Sequence, residues 1–348
     1  MTAHRFPGAM SILIALCCAF PIFAVVERAV AQEKLEVVTT LNVLRWLAEE
    51  IGGERVMATS LSDPRQDPHY VQPRPTLMQK AHAADVFIEV GLQLELWAQK
   101  VVDGSGNPRI QTGQPGRIIA SSGIRTLELP TVLSREWGDV HPYGNPHVWL
   151  DPVNVKKMAE NIAEGLARVD PAHQEEYRSR LESLSMRLDD ALFGADLVKE
   201  VGSRKLTRLA ERDQLFDYLT SSKLEGKLGG WLKQALPLRG RSLVSYHKTW
   251  AYLVRCFGLT VPVEIEEKPG ISPSARHRDH VIEIMQQQKI PVILMAGFYE
   301  RTAADFIAGK TGARVLTVSI DVGGDEGSES YFDFMDRLIA ILVDAVRS

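Results

Sequence analysis

From residue 35 onward the chain alternates short β-rich runs with runs of helical period. Residues 35–40, 56–61, 85–90 and 117–120 are rich in Val, Ile, Leu and Thr, and helix-like patterns fill 43–51, 75–84 and 93–102. Strands that alternate with helices predict βαβ units and a parallel sheet. The rhythm returns in the second half, with strands expected at 242–246, 261–265, 291–296 and 315–320 and helices at 248–257, 274–288, 301–311 and 331–347. The pattern therefore predicts an α/β protein with two similar halves.

Residues 152–193, between the halves, carry no strand pattern. Val155, Met158, Ile162, Ala163 and Leu166 form one apolar stripe at helical spacing. Asp170-Pro171 has the form of an N-cap followed by proline at the first helical position. Residues 171–193 are charged on most faces, with Tyr177, Leu181, Leu184 and Leu188 as a narrow stripe. A long, mostly polar helix of this kind suits a strut between two lobes. Residues 104–116, rich in Gly, Pro, Asn and Gln, read as a surface loop. Residues 195–238 read as helical and charged, without an assigned place.

Composition narrows the classes. The 348 residues are 45% hydrophobic and 24% charged, with net charge -4. That excludes disorder as the main state, and the absence of a Lys/Arg block argues against a nucleic-acid partner. Residues 11–26 are nearly all apolar and lead to Ala29-Val30-Ala31, the small-x-small pattern of a signal-peptidase site. The mature chain is expected to start at Gln32 in the periplasm. Cys17 and Cys18 would leave with the leader, and Cys256 alone cannot form an internal disulfide.

Four polar residues fall just after expected strands or just before expected helices, where open α/β sheets bind ligands. They are His69 in Asp67-Pro68-His69-Tyr70, His147 in Asn145-Pro146-His147-Val148-Trp149-Leu150-Asp151-Pro152, His247 after the 242–246 strand, and Asp321 before Gly323-Gly324. Three imidazoles and a carboxylate form a natural set for one tetrahedral divalent ion. Each histidine alone also fits a surface or capping role. His82, His173 and the pair His277 and His280 read as packed or solvated helical residues, with His173 exposed; Cys256, Trp149, Trp250 and Tyr252 read as core.

The strings around His69 and His147, with Tyr246-His247-Lys248-Thr249-Trp250-Ala251-Tyr252-Leu253 and the Pro269-Gly270-Ile271-Ser272-Pro273-Ser274 turn, resemble the zinc/manganese solute-binding proteins of ABC transporters (cluster A-I, ZnuA/TroA-like). The resemblance spans essentially the whole mature chain. It implies two pseudo-symmetric lobes, each a parallel sheet flanked by helices, a long rigid linking helix, and a metal site in the interlobe cleft. The expected division is a signal peptide at 1–31, an N-terminal lobe at 32–168, the linking helix at 169–198 and a C-terminal lobe at 199–348. By the same resemblance the chain is not an enzyme but a monomeric carrier of Zn²⁺, working with a membrane permease and open to loading by a metallochaperone.

His69, His147 and His247 match the three histidine positions of that family. Manganese-type members commonly carry Glu at the third, so His247 shifts the expectation toward zinc. Many members have Leu-Asp-Pro-Leu-Gly near the C-terminus; here the string is Ser319-Ile320-Asp321-Val322-Gly323-Gly324. Asp321 is the expected fourth ligand, with water or Glu266 as substitutes. The long His-rich loop of many zinc members is missing, and only His141 stands there, as a weak capture ligand, a fifth donor or a solvated loop residue. Three other readings stay open: a Mn²⁺ or Fe²⁺ carrier of the same fold, a cell-surface adhesin, and an exported zinc hydrolase with water in the fourth position and Asp321 or Glu266 as base. The hydrolase lacks any His-Glu-x-x-His string.

Overall fold

In the computed structural model, which describes residues 1–4, 34–130, 141–268 and 270–347, the first half forms a four-stranded parallel sheet. Its strands are β1 (Leu35–Thr39), β2 (Val56–Ser60), β3 (Val86–Glu89) and β4 (Arg117–Ile119), in the order β2-β1-β3-β4. The second half forms a parallel sheet β5-β6-β7 from Val244–Ser245, Val292–Ala296 and Arg314–Val318. Lys34–Ser348 make one compact unit. The expected leader lies almost wholly outside the described residues, and no helix among them is long and apolar enough to cross a membrane.

The inner strands β3 and β6 are buried on both faces, which is why they read as near-continuous apolar runs, whereas the edge strands β2 and β7 stay partly exposed. Side chains alternate across a strand. Val37, Val86 and Ile88 join the large core, whereas Val38 and Phe87 join a smaller cluster with Leu77 of α2 (Pro75–Ala83) and Trp97 and Val101 of α3 (Leu96–Ser105). In the second sheet Val292 and Leu294 face the large core. Ile293 and Met295 face Val281 and Met285 of α11 (Ala275–Gln288) and Ile307 of α12 (Thr302–Thr311).

The large core spans both halves through α1 (Asn42–Gly52), α4 (Pro152–Val169), α5 (Gln174–Phe193), α10 (Ala251–Phe257) and α13 (Tyr331–Arg347). All five stripe residues of α4 are buried. α5 packs against α1 and α4, and also against α9 (Gly230–Gln234). Residues 195–238 fold into α6 (Ala195–Val201), α7 (Ser203–Glu211), α8 (Leu215–Ser222) and α9, and bury Leu197, Leu206, Leu219 and Trp231 in the same core.

Five local expectations are corrected. The strand at 261–265 shrinks to isolated bridges, Ser242 with Thr260 and Ser245 with Glu264; Pro262 has no N–H to give to a ladder. The long polar helix starts at Gln174, after a 3₁₀ turn at Pro171–His173. Asp170 does not cap it: its carboxylate accepts from the Tyr177 hydroxyl at 2.7 Å and meets the His173 ring, so His173 is half-buried, not exposed. The 104–116 stretch is not all surface, because Asn107 and Ile110 are buried and Asn107 donates to the Ala81 and Ala84 carbonyls that end α2. The helix expected from residue 93 begins at Leu96, since Gly91, Leu92 and Gln93 all adopt positive φ.

Candidate metal centre

His69 sits in the loop after β2, His147 just before the 3₁₀ turn that leads to α4, and His247 just after β5. One ring nitrogen from each lies within 4.8 Å of the other two, the group among the described residues that could hold a metal ion. The ring centroids are 5.2 Å apart for His69 and His147, 5.8 Å for His69 and His247, and 6.0 Å for His147 and His247.

Each ring is held by its other nitrogen. His69 Nδ1 contacts Asp67 Oδ1 at 2.7 Å, His147 Nδ1 contacts Asn145 Oδ1 at 3.0 Å, and His247 Nδ1 contacts Glu266 Oε2 at 2.8 Å. An oxygen acceptor at Nδ1 fixes the tautomer that leaves Nε2 bare, the usual outer arrangement of a metal-binding imidazole. His147 Nε2 is buried without a hydrogen-bond partner. A buried polar atom left open in this way is costly unless something binds it.

Asp67 and Asn145 also set their own loops. Asp67 Oδ1 accepts from the His69 amide at 2.9 Å, and Asn145 Oδ1 accepts from the His147 amide at 3.0 Å. Asn145 further donates to Glu128 and to the Lys248 carbonyl, while the Tyr252 hydroxyl donates to the Asn145 carbonyl. The His147 loop from the first half is thus tied to the residues that follow His247 in the second. Trp149 and Tyr299 close the site, with centroids 5.4 Å from His147 and 5.8 Å from His247. The expected core residues Trp149, Trp250 and Tyr252 are all buried. Nothing in the sequence pattern singles out Tyr299, which reaches the site only through the turn after β6.

Burial, then the neighbouring rings of His69 and His247, hold the His147 imidazole well below its usual range. The same causes bring His141 down to about 3. Both rings therefore stay neutral at pH 7 and keep a nitrogen lone pair free. Burial pushes the Asp67 carboxyl up, but the hydrogen bond and charge of His69 outweigh it and hold Asp67 below its ordinary value.

Asp321, the expected fourth ligand, is engaged elsewhere in this structure. Asp321 is buried, but the structure does not bring it into the histidine group. Its oxygens accept from the backbone amides of Asn42 at 2.9 Å, Val43 at 2.8 Å and Val322 at 2.9 Å. Leu41, at the N-cap of α1, has no side chain able to cap. Asp321 supplies that cap from the far end of the chain, where the helix dipole favours a negative charge. Glu266 is committed to His247 and to the Gly270 amide. His141 lies beside the group, with its Nε2 3.2 Å from His69 Nε2, but its ring nitrogen is not among those within 4.8 Å of all the others. Of the remaining histidines, His82 meets the Ser105 carbonyl, and His277 meets the Glu264 carbonyl with its ring centroid 6.2 Å from that of His280.

Two α/β sheets joined by one continuous core, with a buried cluster of imidazoles held by outer oxygens, define the class of metal-binding substrate-binding proteins of ABC transporters. The chain belongs to the family described as zinc-uptake complex component A, periplasmic (ZnuA), whose model matches residues 37–202 and 224–345. It is 26% identical over 302 residues to the iron-binding protein YfeA of Yersinia pestis, covering 85% of this chain and 80% of that protein. It is 23% identical to the manganese-binding lipoprotein MntA of Halalkalibacterium halodurans (90% and 89% covered) and 23% identical to the zinc-binding lipoprotein AdcA of Streptococcus pneumoniae (96% and 60% covered). Among solved structures, a crystal structure of ZnuA matches with TM-score 0.65 and 21% identity over 91% of this chain and 99% of that one. These relatives are transport proteins, not enzymes, which removes the hydrolase reading.

Proposed function

We propose that the protein captures Zn²⁺ outside the cytoplasm and passes it to an ABC permease. The observation that carries this reading is the convergence of His69, His147 and His247, each braced at Nδ1, around the unpartnered Nε2 of His147. We assign these three residues as ligands and His141, which touches His69 but stands outside their 4.8 Å group, as a fourth donor that moves in with the ion. Ligands on one tetrahedral zinc ion sit roughly 3.4 Å apart, given Zn–N bonds of about 2.0–2.1 Å. The 3.2 Å separation of the His69 and His141 nitrogens fits that spacing. Four nitrogen donors favour zinc over manganese, which prefers oxygen. Four protein ligands also leave no open position for an activated water.

In this reading residues 1–31 are a cleaved signal peptide and the mature chain works in the periplasm as a monomer. α5, packed on elements of both halves, is the linking helix between an N-terminal lobe up to residue 168 and a C-terminal lobe from residue 199. Lobe closure is small, because a packed helix resists bending more than a pair of flexible strands does. The test is calorimetric titration of metal-stripped mature protein with Zn²⁺, Mn²⁺ and Fe²⁺. One tight equivalent of zinc that neither of the others displaces supports the reading. Equal or tighter binding of Mn²⁺ or Fe²⁺ overturns the zinc assignment and leaves a carrier for the metal that wins.

A further inference from the structure

The chain leaves β3 through three successive residues of positive φ: Gly91 at 89°, Leu92 at 56° and Gln93 at 62°. Glycine tolerates this conformation, but Leu and Gln pay a steric penalty for it. A strained loop persists only where its surroundings hold it. Here the holding group is Glu95, buried just ahead of α3. Its Oε1 accepts from the Val90 amide at 2.8 Å and the Thr40 hydroxyl at 2.7 Å, and its Oε2 accepts from the Gly91 amide at 3.1 Å. One carboxyl group thus pins the start of the loop to the end of β1.

The loop reaches the metal centre by two routes. The Gln93 backbone is a hydrogen-bond partner of the His141 ring, its carbonyl accepting from the ring N–H. Two residues past Glu95, the Trp97 indole N–H donates to the Pro68 carbonyl at 2.8 Å, directly before His69. The short segment 91–97 therefore touches the supports of two histidines whose Nε2 atoms lie 3.2 Å apart.

We infer that Glu95 is a positioning residue of the metal site, which holds the left-handed loop so that the Gln93 carbonyl fixes the His141 ring against the ion. The inference rests on the reading of His141 as the fourth donor. Burial and the nearby Glu89 push Glu95 up to about 8, yet three donors aim at its two oxygens, so the geometry requires an acceptor at each. Glutamine has the same size but turns one acceptor into an N–H pair, which would face a backbone donor at Val90 or Gly91. The loop would relax while the surrounding core stayed filled.

The test is zinc affinity, measured by competition with a chromogenic chelator, for wild type, Glu95→Gln, His141→Ala and the double variant. Loss of an outer partner typically weakens metal binding 10–100-fold, and about 10-fold is expected for Glu95→Gln. In the double variant that loss should vanish, with affinity equal to His141→Ala alone, because both changes act on one contact. The visible bands of Co²⁺-loaded Glu95→Gln should lose intensity in the same direction as those of His141→Ala. Should Glu95→Gln fold poorly, Glu95→Asp tests the same contacts by drawing the acceptor oxygens back from the Val90 and Gly91 amides, and should also weaken zinc only while His141 is present. An equal loss from Glu95→Gln with and without His141 would reduce Glu95 to a general structural role and overturn the inference. Wild-type affinity in Glu95→Gln beside weakened His141→Ala would overturn it too, while leaving His141 a ligand. Full affinity in His141→Ala would remove the fourth-donor reading and this inference together.

Discussion

Asp321 accepts a 2.8 Å hydrogen bond from the backbone amide of Val43, 278 residues earlier in the chain. With the Asn42 and Val322 amides on the same carboxylate, the contact joins the end of the second sheet to the start of α1. Asp321→Ala leaves buried amides without acceptors, each worth about 1–3 kcal/mol. Asp321→Ala should lower unfolding stability by at least about 2 kcal/mol in denaturant titration, with Asp321→Asn intermediate. Zinc affinity of Asp321→Asn should fall less than about tenfold, below the loss expected for removing a ligand. A loss of stability without a comparable loss of zinc is the signature of a cap; the reverse would restore Asp321 to the ligand set.

The same carboxylate contributes to pH dependence. Burial raises Asp321 from 3.8 to about 6, against the amides that favour its ionised form. Asp151 is raised to about 6, first by burial. A carboxyl with a folded pKa above its unfolded value binds its proton more tightly in the folded chain. Its contribution is complete below the unfolded value and is lost as pH rises through the folded one. Stability from these two groups should therefore decline between about pH 4 and pH 6. Asp321→Asn should flatten part of that slope, as read from unfolding midpoints measured across the window. An unchanged slope would mean that Asp321 ionises normally in the folded chain.

The candidate histidines were more legible than their supports. His69 and His147 are flagged by the prolines before them and by the strands and helices on either side, and the resemblance joined them to His247. Asp321 stands at the right place in the chain and is also buried. What diverts it is the missing cap at Leu41, a demand created by another element and visible only once the two halves are packed. The left-handed turn at Leu92 and Gln93 was equally hidden, because neither residue type announces positive φ. The βαβ rhythm placed most strands correctly because each carries an apolar run bounded by turns and helix-like stretches. It failed at 261–265, where apolar residues run beside β5 but Pro262 breaks the ladder. Residues 195–238 resisted placement for a different reason: the family match itself skips 203–223, the stretch that holds α7 and α8.

The outer oxygens offer a graded test of the centre. Replacing His69, His147 or His247 by Ala removes a donor directly. Asp67→Asn and Glu266→Gln leave the donors in place and disturb only the Nδ1 partner. The outer changes should cost about 10–100-fold in zinc affinity, and the histidine changes more. Titration of the metal-stripped variants checks the order. Asp67→Asn as damaging as His69→Ala would place Asp67 on the metal itself.

α7 and α8 are held to the body by polar contacts as well as by Leu206 and Leu219. Lys156 on α4 donates to Asp189 on α5 at 2.6 Å and to Thr207 on α7 at 2.9 Å. Asp189 is 1% exposed, so it depends on that ammonium group for its charge balance. On the other side, Arg255 of α10 donates to the Ala210 carbonyl at 3.3 Å and to Asp213 at 2.9 Å. Breaking a buried pair from one side strands the other charge, typically at about 3–5 kcal/mol, whereas replacing both by apolar groups is often near neutral. Lys156→Met should therefore destabilise strongly, and Lys156→Met with Asp189→Leu should recover most of the loss. Thr207→Val should cost only about 1 kcal/mol, since it removes one neutral partner. Chemical denaturation of the three variants measures the set. If the double variant were as unstable as Lys156→Met alone, the contact would serve mainly to fix the position of α7 on α4 and α5, and the stranded-charge account would be wrong.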